Sequence, residues 1–582
     1  MKNRLFLLVA ALVLASMVLA ACGPAPTAAP EAPAATEAPA APAATVEPTA
    51  APEPTAIPKV SVASFDGKVL KAEDCSYGGF FSSIEATDQY TVTFNLCKSD
   101  AAFLSKIAFS PFAIYPSEWL AATSGDESRS TEGVEKPIGT GPYMVSEWKR
   151  GESITFTKNP DYWGEIPNAA ETLVFRWSSE SAARLLELQA GTVDGFDNVG
   201  PEDFATIEGD SALQLTLRPA LNVFYVGMTN TYPPFDNVKV RQAIAMGIDR
   251  QRIVDNFYPK GSEVATHFTP CAIPNGCVGD KWYDFDPAAA KALLAEAGFP
   301  DGFSTKLYYR DVVRGYLPQP GVVAQDLQAQ LKENLNIDAQ IEVMESGAFI
   351  EASGAGQLNG IHLLGWGADY PHVTNFLDYH FGEGQKQFGT PYPEIFESLV
   401  KGAQIGIPAD AEQYYVAANN AIKELVPMVP IAHGGSAAAY RADVVNPQAS
   451  PLTTEEFAYS KPGDRNVFVW MQNAEPNTMF CADETDGEGL RACEQVVEGL
   501  YGYEVNDTAT YPKLATACTP NADSTVWVCT LRQGVKLHDG TDFDSTDVLA
   551  TWDMLLNPSS ANHKGNTNLW EYAETLWGIM WK

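Results

Sequence analysis

Seven histidines, nine cysteines and 73 acidic residues carry most of the reactive chemistry in this 582-residue chain. Their spacing builds no recognisable catalytic centre. There is no Gly-x-x-x-x-Gly-Lys-Ser/Thr phosphate loop, no His-Glu-x-x-His and no Gly-x-Ser-x-Gly. His372 and His380 stand eight residues apart and could share a helix face as a metal-ligand pair, although two surface histidines are the simpler account. His433-Gly434-Gly435-Ser436 has the make-up of an oxyanion loop, and a backbone turn explains it better. His538-Asp539-Gly540 sets a base beside a carboxylate, but Asp-Gly between two β-like runs is first a hairpin turn. Carboxylate pairs suited to glycoside hydrolysis abound, and nothing singles one out.

The cysteines point to oxidation rather than to metal. Beyond Cys22 there are eight: Cys75, Cys97, Cys271, Cys277, Cys481, Cys493, Cys518 and Cys529. The count is even, no Cys-x-x-Cys occurs and no cysteine pair has histidines at zinc-finger spacing. Disulfides in an oxidising compartment follow. Proximity favours 75–97, 271–277, 481–493 and 518–529, with other pairings open. No metal and no cofactor is expected.

The N-terminus supplies the compartment. Lys2 and Arg4 precede an apolar run from Leu5 to Ala21 that closes on Leu19-Ala20-Ala21-Cys22. The pattern resembles a bacterial lipoprotein signal peptide (1–21), cleaved before Cys22 and acylated on that sulfur. The competing reading, an uncleaved anchor, asks a short run to span a bilayer that needs roughly 20 apolar residues. Residues 22–59 form a tether. Of the 36 residues from 23 to 58, 14 are Ala and 10 are Pro, which supports no core. Extended at about 3.1 Å per residue, that stretch reaches roughly 110 Å.

The chain as a whole is globular in composition, with 45% apolar, 11% aromatic and 19% charged residues. A net charge of −35 excludes nucleic-acid phosphates and an anionic membrane surface as partners, leaving membrane attachment to the N-terminal lipid alone. Strand-like runs at 91–96, 153–157, 173–177, 223–227, 306–309, 361–366 and 467–471 are mixed with helix-like runs at 181–190, 238–257, 287–297, 322–335, 409–425 and 547–556. Such a mixture predicts an α/β protein with several lobes.

Several segments together resemble the family-five extracytoplasmic solute-binding proteins of ABC importers, the peptide and oligopeptide binders. The most specific are Pro137-Ile138-Gly139-Thr140-Gly141-Pro142-Tyr143 with Trp148, and Asn159-Pro160-Asp161-Tyr162-Trp163. Leu188–Asp194, Pro234-Phe235-Asp236 leading to Arg241 and Asp249-Arg250, Ala289–Gly298 and Leu531–Gly540 add to them. Gly365-Trp366-Gly367-Ala368-Asp369-Tyr370-Pro371 with Asn375-Phe376-Leu377 resembles the family's ligand-contacting loop. The resemblance implies a two-lobed periplasmic-binding-protein-like fold (type II, cluster C-like) with a third, peripheral lobe. The order of segments differs from the family: Asn473–Pro476, Leu500–Tyr503 and Leu531–Gly540 come last here and first there. This reads as a circular permutation joined near residues 440–466, the alternative being a misassembled gene. The lobes expected are 60–136 with 503–582 (peripheral), 137–230 with 431–502 (lobe I), and 231–430 (lobe II, with the ligand loop).

For function, the resemblance implies a monomeric, lipid-anchored binding protein without catalysis. It would capture a peptide between two lobes and deliver it to an ABC import permease outside the cytoplasm, in the periplasm or on the outer face. Asp369 takes the place of the aspartate that pairs with a peptide α-ammonium, with Trp366 and Tyr370 as walls. Arg310 and Arg314 lie where a carboxylate-binding arginine can come from. Where the family often has Asp-Tyr-Pro-Asp-Pro, this chain has His372 after Pro371, so a charge change near neutral pH is expected at the cleft rim. The alternatives are the same role for an oligosaccharide or other solute, or a secreted hydrolase.

Overall fold

Val92, Phe94 and Leu96 alternate with Thr91, Thr93 and Asn95, and strand Thr91–Leu96 buries the first set while half-burying the second. The same alternation recurs in Ser153–Lys158 and Val526–Leu531. The computed structural model describes residues 63–65, 68–125, 130–312, 314–563 and 570–580. The signal peptide, Cys22 and the tether lie outside the described residues.

Three large sheets organise the body. The first runs 63–65, 69–72, 81–88, 91–96, 526–531, 515–520, antiparallel throughout, so early and late parts of the chain meet where Phe94 faces Trp527. Its core is aromatic: Phe81, Phe94, Phe103 and Phe112 interlock with Trp552 and Trp577, which come from helices Ser545–Leu556 and Glu571–Trp577. The second sheet runs 143–149, 153–158, 172–177, 467–472, 195–196, 436–441, 213–218. The third runs 263–264, 428–433, 222–228, 361–367, 304–310, 338–344.

Residues 222–228 and 428–433 pair with each other in the third sheet, so the chain passes from the second sheet to the third at 219–221 and back at 434–435. The two crossings lie side by side. Asn222 donates from Nδ2 to the Gly434 carbonyl at 2.7 Å and accepts from the Gly434 N–H at 2.8 Å. Glycine is required at 434, because a Cβ there would lie 2.1 Å from the Gly315 carbonyl oxygen.

Most expected helices appear within two residues of their limits. The run 238–257 is instead two helices, Val238–Gly247 and Arg250–Phe257. The Asp249 side chain caps the second by accepting from the Arg252 N–H, while the Asp249 N–H donates to Gln330. Gly247 packs so closely on Leu335 that a Cβ would lie 2.7 Å from it. All four proximal disulfides form: 75–97, 271–277, 481–493 and 518–529.

The lobe built on the second sheet encloses a ring of four charges. Arg218 reaches Asp197 and Glu455, each at 2.7 Å. Arg491 reaches Glu455 at 2.5 Å and also binds Asp197. None of the four side chains is more than 3% exposed. Burial alone would push Asp197 up, but the two guanidinium groups hold it down at about 2. A ring of this kind adds little over an apolar core, yet removing one member strands the others. Arg491→Met is therefore expected to lower unfolding stability by about 3–5 kcal/mol in urea titrations. Lys136→Met, at the exposed pair with Glu132, is expected to change it by less than about 1 kcal/mol. Equal effects would show that the ring is no tighter than a surface pair.

Candidate functional site

Strand Ile361–Gly367 is central in the third sheet, and its apolar run carries the chain straight to Trp366. Gly365 lets this happen, because a Cβ there would sit 2.3 Å from the Tyr316 ring and 2.4 Å from the Val223 carbonyl oxygen. A turn over 368–372 follows. His372 then caps helix Val373–Phe381 by accepting from the Thr374 N–H.

Asn375, on the first turn of that helix, fixes the loop. Its Oδ1 accepts from the Trp366 indole at 3.1 Å and from the Asp369 N–H at 3.0 Å, while its Nδ2 donates to Asp369 Oδ2 at 3.0 Å. Asp369 and Trp366 are thereby set relative to one another by a single amide. Trp366 also stacks on Tyr379, with centroids 4.1 Å apart.

Asp369, Trp366 and Tyr379 stand between two cavities, one of about 620 Å³ and one of about 270 Å³. The larger is closed from the other side by Phe80, Asp100 and Lys106, and by Glu571 and Tyr572 of the last described helix. Tyr370 lines it too, with its hydroxyl 3.3 Å from that of Thr374. The smaller holds Arg310, at the end of strand Ser304–Arg310, which donates to Ser346 Oγ at 2.9 Å and to the Tyr316 hydroxyl at 3.2 Å. Arg314 sits in an exposed turn paired with Leu317 and lines neither cavity.

The larger cavity is rich in carboxylates. Burial pushes Asp369 up, the Asn375 amide pulls it back, and the Glu571 charge adds to the rise. Asp378, one turn beyond Asn375, is pushed up to about 7, chiefly by burial, with Lys106 opposing and Asp100 adding. Its Oδ1 is sealed from solvent and accepts no hydrogen bond. Lys106 is engaged elsewhere, 2.7 Å from Asp100 and over the rings of Phe80, Trp577 and Tyr370.

The histidines do structural work. Burial pushes His372 down to about 4, so the expected charge change near neutral pH does not occur there. His538 accepts from the Gly139 N–H and bonds the Gly141 carbonyl, locking the turn it starts. His433 bonds the Asn222 carbonyl at the lobe crossing. Among the described residues no group of three or more His, Cys, Asp or Glu could hold a metal ion, and no helix is long and apolar enough to cross a membrane.

A profile of the bacterial extracellular solute-binding proteins, family 5, matches residues 60–388 and 509–572. The chain belongs to that family. This solute-binding protein is 30% identical over 387 residues to di/tripeptide-binding protein 1 of Pseudomonas aeruginosa, covering 64% of its own length and 70% of that protein. It is 29% identical over 384 residues to heme-binding protein A of Haemophilus influenzae, covering 64% of its own length and 69% of that protein. Among solved structures it resembles HbpA2 from Haemophilus parasuis at a TM-score of 0.58 and 29% identity, over 64% of this chain and 73% of that one. Membership makes it a binding protein of the extracytoplasmic space and displaces the hydrolase alternative.

Sequence reasoning missed half of the solute-binding protein's larger cavity. Phe80, Asp100, Lys106, Glu571 and Tyr572 come from segments hundreds of residues from the loop, with no motif to mark them. Asp378 carried one signal, its place one turn after Asn375 on a helix entering the site. Its raised folded-state value means that folding takes up a proton between about pH 4 and 7, so stability falls as pH rises through that window. Asp378→Asn abolishes this loss. It is expected to melt about 1–3 °C above the parent at pH 8, with the gap closed by pH 4, in scanning calorimetry. A gap independent of pH would remove burial of the charge as its source.

Proposed function

We propose that this protein captures short peptides and hands them to an ABC import permease, its body held near the membrane by a lipid on Cys22. The observation that carries the peptide reading is Asp369. It is oriented by Asn375 at the junction of two cavities, and among the described residues no cation pairs with it. An α-ammonium would supply the missing partner in a water-poor cleft, where charge-assisted hydrogen bonds are strong. Arg310, in the adjoining cavity, would take the peptide carboxylate, its fork already held by Ser346 and Tyr316. Trp366 and Tyr370 would wall the backbone and first side chain. The di/tripeptide-binding name of the Pseudomonas aeruginosa relative supports the same ligand class.

The reading includes the circular permutation of the family's chain. It is supported by the family match falling in two separated segments. The pairing of strand 91–96 with 526–531 supports it too, as does the 2.7 Å hydrogen bond from the Phe80 N–H to the Trp577 carbonyl. Segments from the two ends of the body thus share one lobe, where a family member would have them continuous.

Calorimetric titration tests the peptide reading. An N-acetylated di- or tripeptide is expected to bind at least about tenfold more weakly than its free-amine form, a loss of about 1.4 kcal/mol or more. Asp369→Ala should lose a similar factor for the free-amine peptide alone. If both losses stay under about twofold, Asp369 is not the amine ligand. Stabilisation by oligosaccharides alone would replace the peptide with a sugar on Trp366.

A further inference from the structure

Six charged side chains line the larger cavity: Lys98, Asp100, Lys106, Asp369, Asp378 and Glu571. Asp100 and Lys106 satisfy each other at 2.7 Å, both nearly buried. Lys98 is exposed and leans on the Phe80 ring at 3.9 Å. Three carboxylates thus face one peripheral lysine, so a ligand with a single α-ammonium on Asp369 leaves the cavity still acidic. Asp378 is the deepest imbalance. Its Oδ1 is sealed and accepts no hydrogen bond, and the residue lines a cavity large enough for a side chain.

We propose that this cavity selects ligands carrying a second cationic group, a basic side chain beside the α-ammonium, and that Asp378 binds it. The inference rests on the peptide reading above. Asn375, which holds Asp369, and Asp378 lie on the same helix three residues apart, a rise of about 4.5 Å along the axis. Asp369 and Asp378 thus line one cavity from a single helix and the loop bonded to it, and a basic residue carries its ammonium on a flexible four-carbon stem that reaches across such a wall. Tyr370 and Tyr572 offer apolar faces for the stem, and Glu571 lies at the rim. Lys106 already shows this environment holding an ammonium, over Phe80 at 4.3 Å and Trp577 at 5.0 Å. A neutral side chain in the same place would leave the Asp378 carboxylate without a cation.

Lysyl-alanine and norleucyl-alanine test this on the whole chain, since the two share an α-ammonium and differ mainly in the terminal ammonium. By titration calorimetry at pH 7.5, lysyl-alanine is expected to bind about tenfold tighter or better. Asp378→Asn should bring the two peptides within about twofold while leaving norleucyl-alanine binding within about twofold of the parent. Asp378→Glu should restore the preference. Equal binding of both peptides to the parent, or a preference that survives Asp378→Asn, overturns the inference and leaves the peptide reading standing. Absence of binding by either peptide to the folded parent overturns the peptide reading and this inference with it.

Discussion

The ring of Arg218, Asp197, Arg491 and Glu455 is the constraint on which the lobe of the second sheet depends. Four charges without access to water are tolerable only when each finds opposite charge on two sides, as here. The members come from the end of strand 195–196, the end of strand 213–218, the segment 442–466 and helix Gly487–Glu494. All four must arrive together, so the ring fixes how that lobe closes. Arg218 is also the last residue before the chain crosses to the lobe that carries the ligand loop. The ring therefore anchors one side of the paired crossing. On the other side, Asn222 clamps Gly434.

The same logic explains why chain order matters little to this architecture. Glu455 stands in the segment that would join the old ends in a permuted chain, yet it is fully buried and bonded to both arginines. The neighbouring Gln448 and Phe457 are buried as well. That segment is thus part of the core. An interaction among residues distant in sequence depends on where the segments end up, not on the order in which they are translated, and loop closure grows only slowly with the length enclosed.

What could be read from the sequence followed the range of the forces involved. Strands 91–96 and 361–367 and helix Pro287–Glu296, with its Asp286 cap, were legible because alternation and capping are local. The helix break at Ile248–Asp249 was not, since it follows from Gln330 and Leu335 reaching in from another helix. Membership of strand 222–228 was likewise hidden in its pairing. The family motifs were legible as a pattern, but their chemistry was not. Thr140, Tyr162 and Trp163, from the two most specific segments, all donate to the buried Glu498, and Gly139 and Gly141 press on the Val496 backbone. Those motifs are fasteners of the fold. Only the segment around Asp369 belongs to the site.

The site's charge pattern follows from where its walls come from. The ligand loop brings Asp369 and, one turn beyond Asn375, Asp378, while the opposing lobe brings an acid–base pair that neutralises itself. The excess of carboxylate is therefore built into one wall and left unanswered by the other. In the empty protein, burial raises both Asp369 and Asp378, and at about 7 Asp378 carries only part of its charge near neutral pH. A cation entering the cleft reverses that balance, because opposite charge nearby favours the ionised form. Cation binding and ionisation of Asp378 are therefore coupled, each favouring the other.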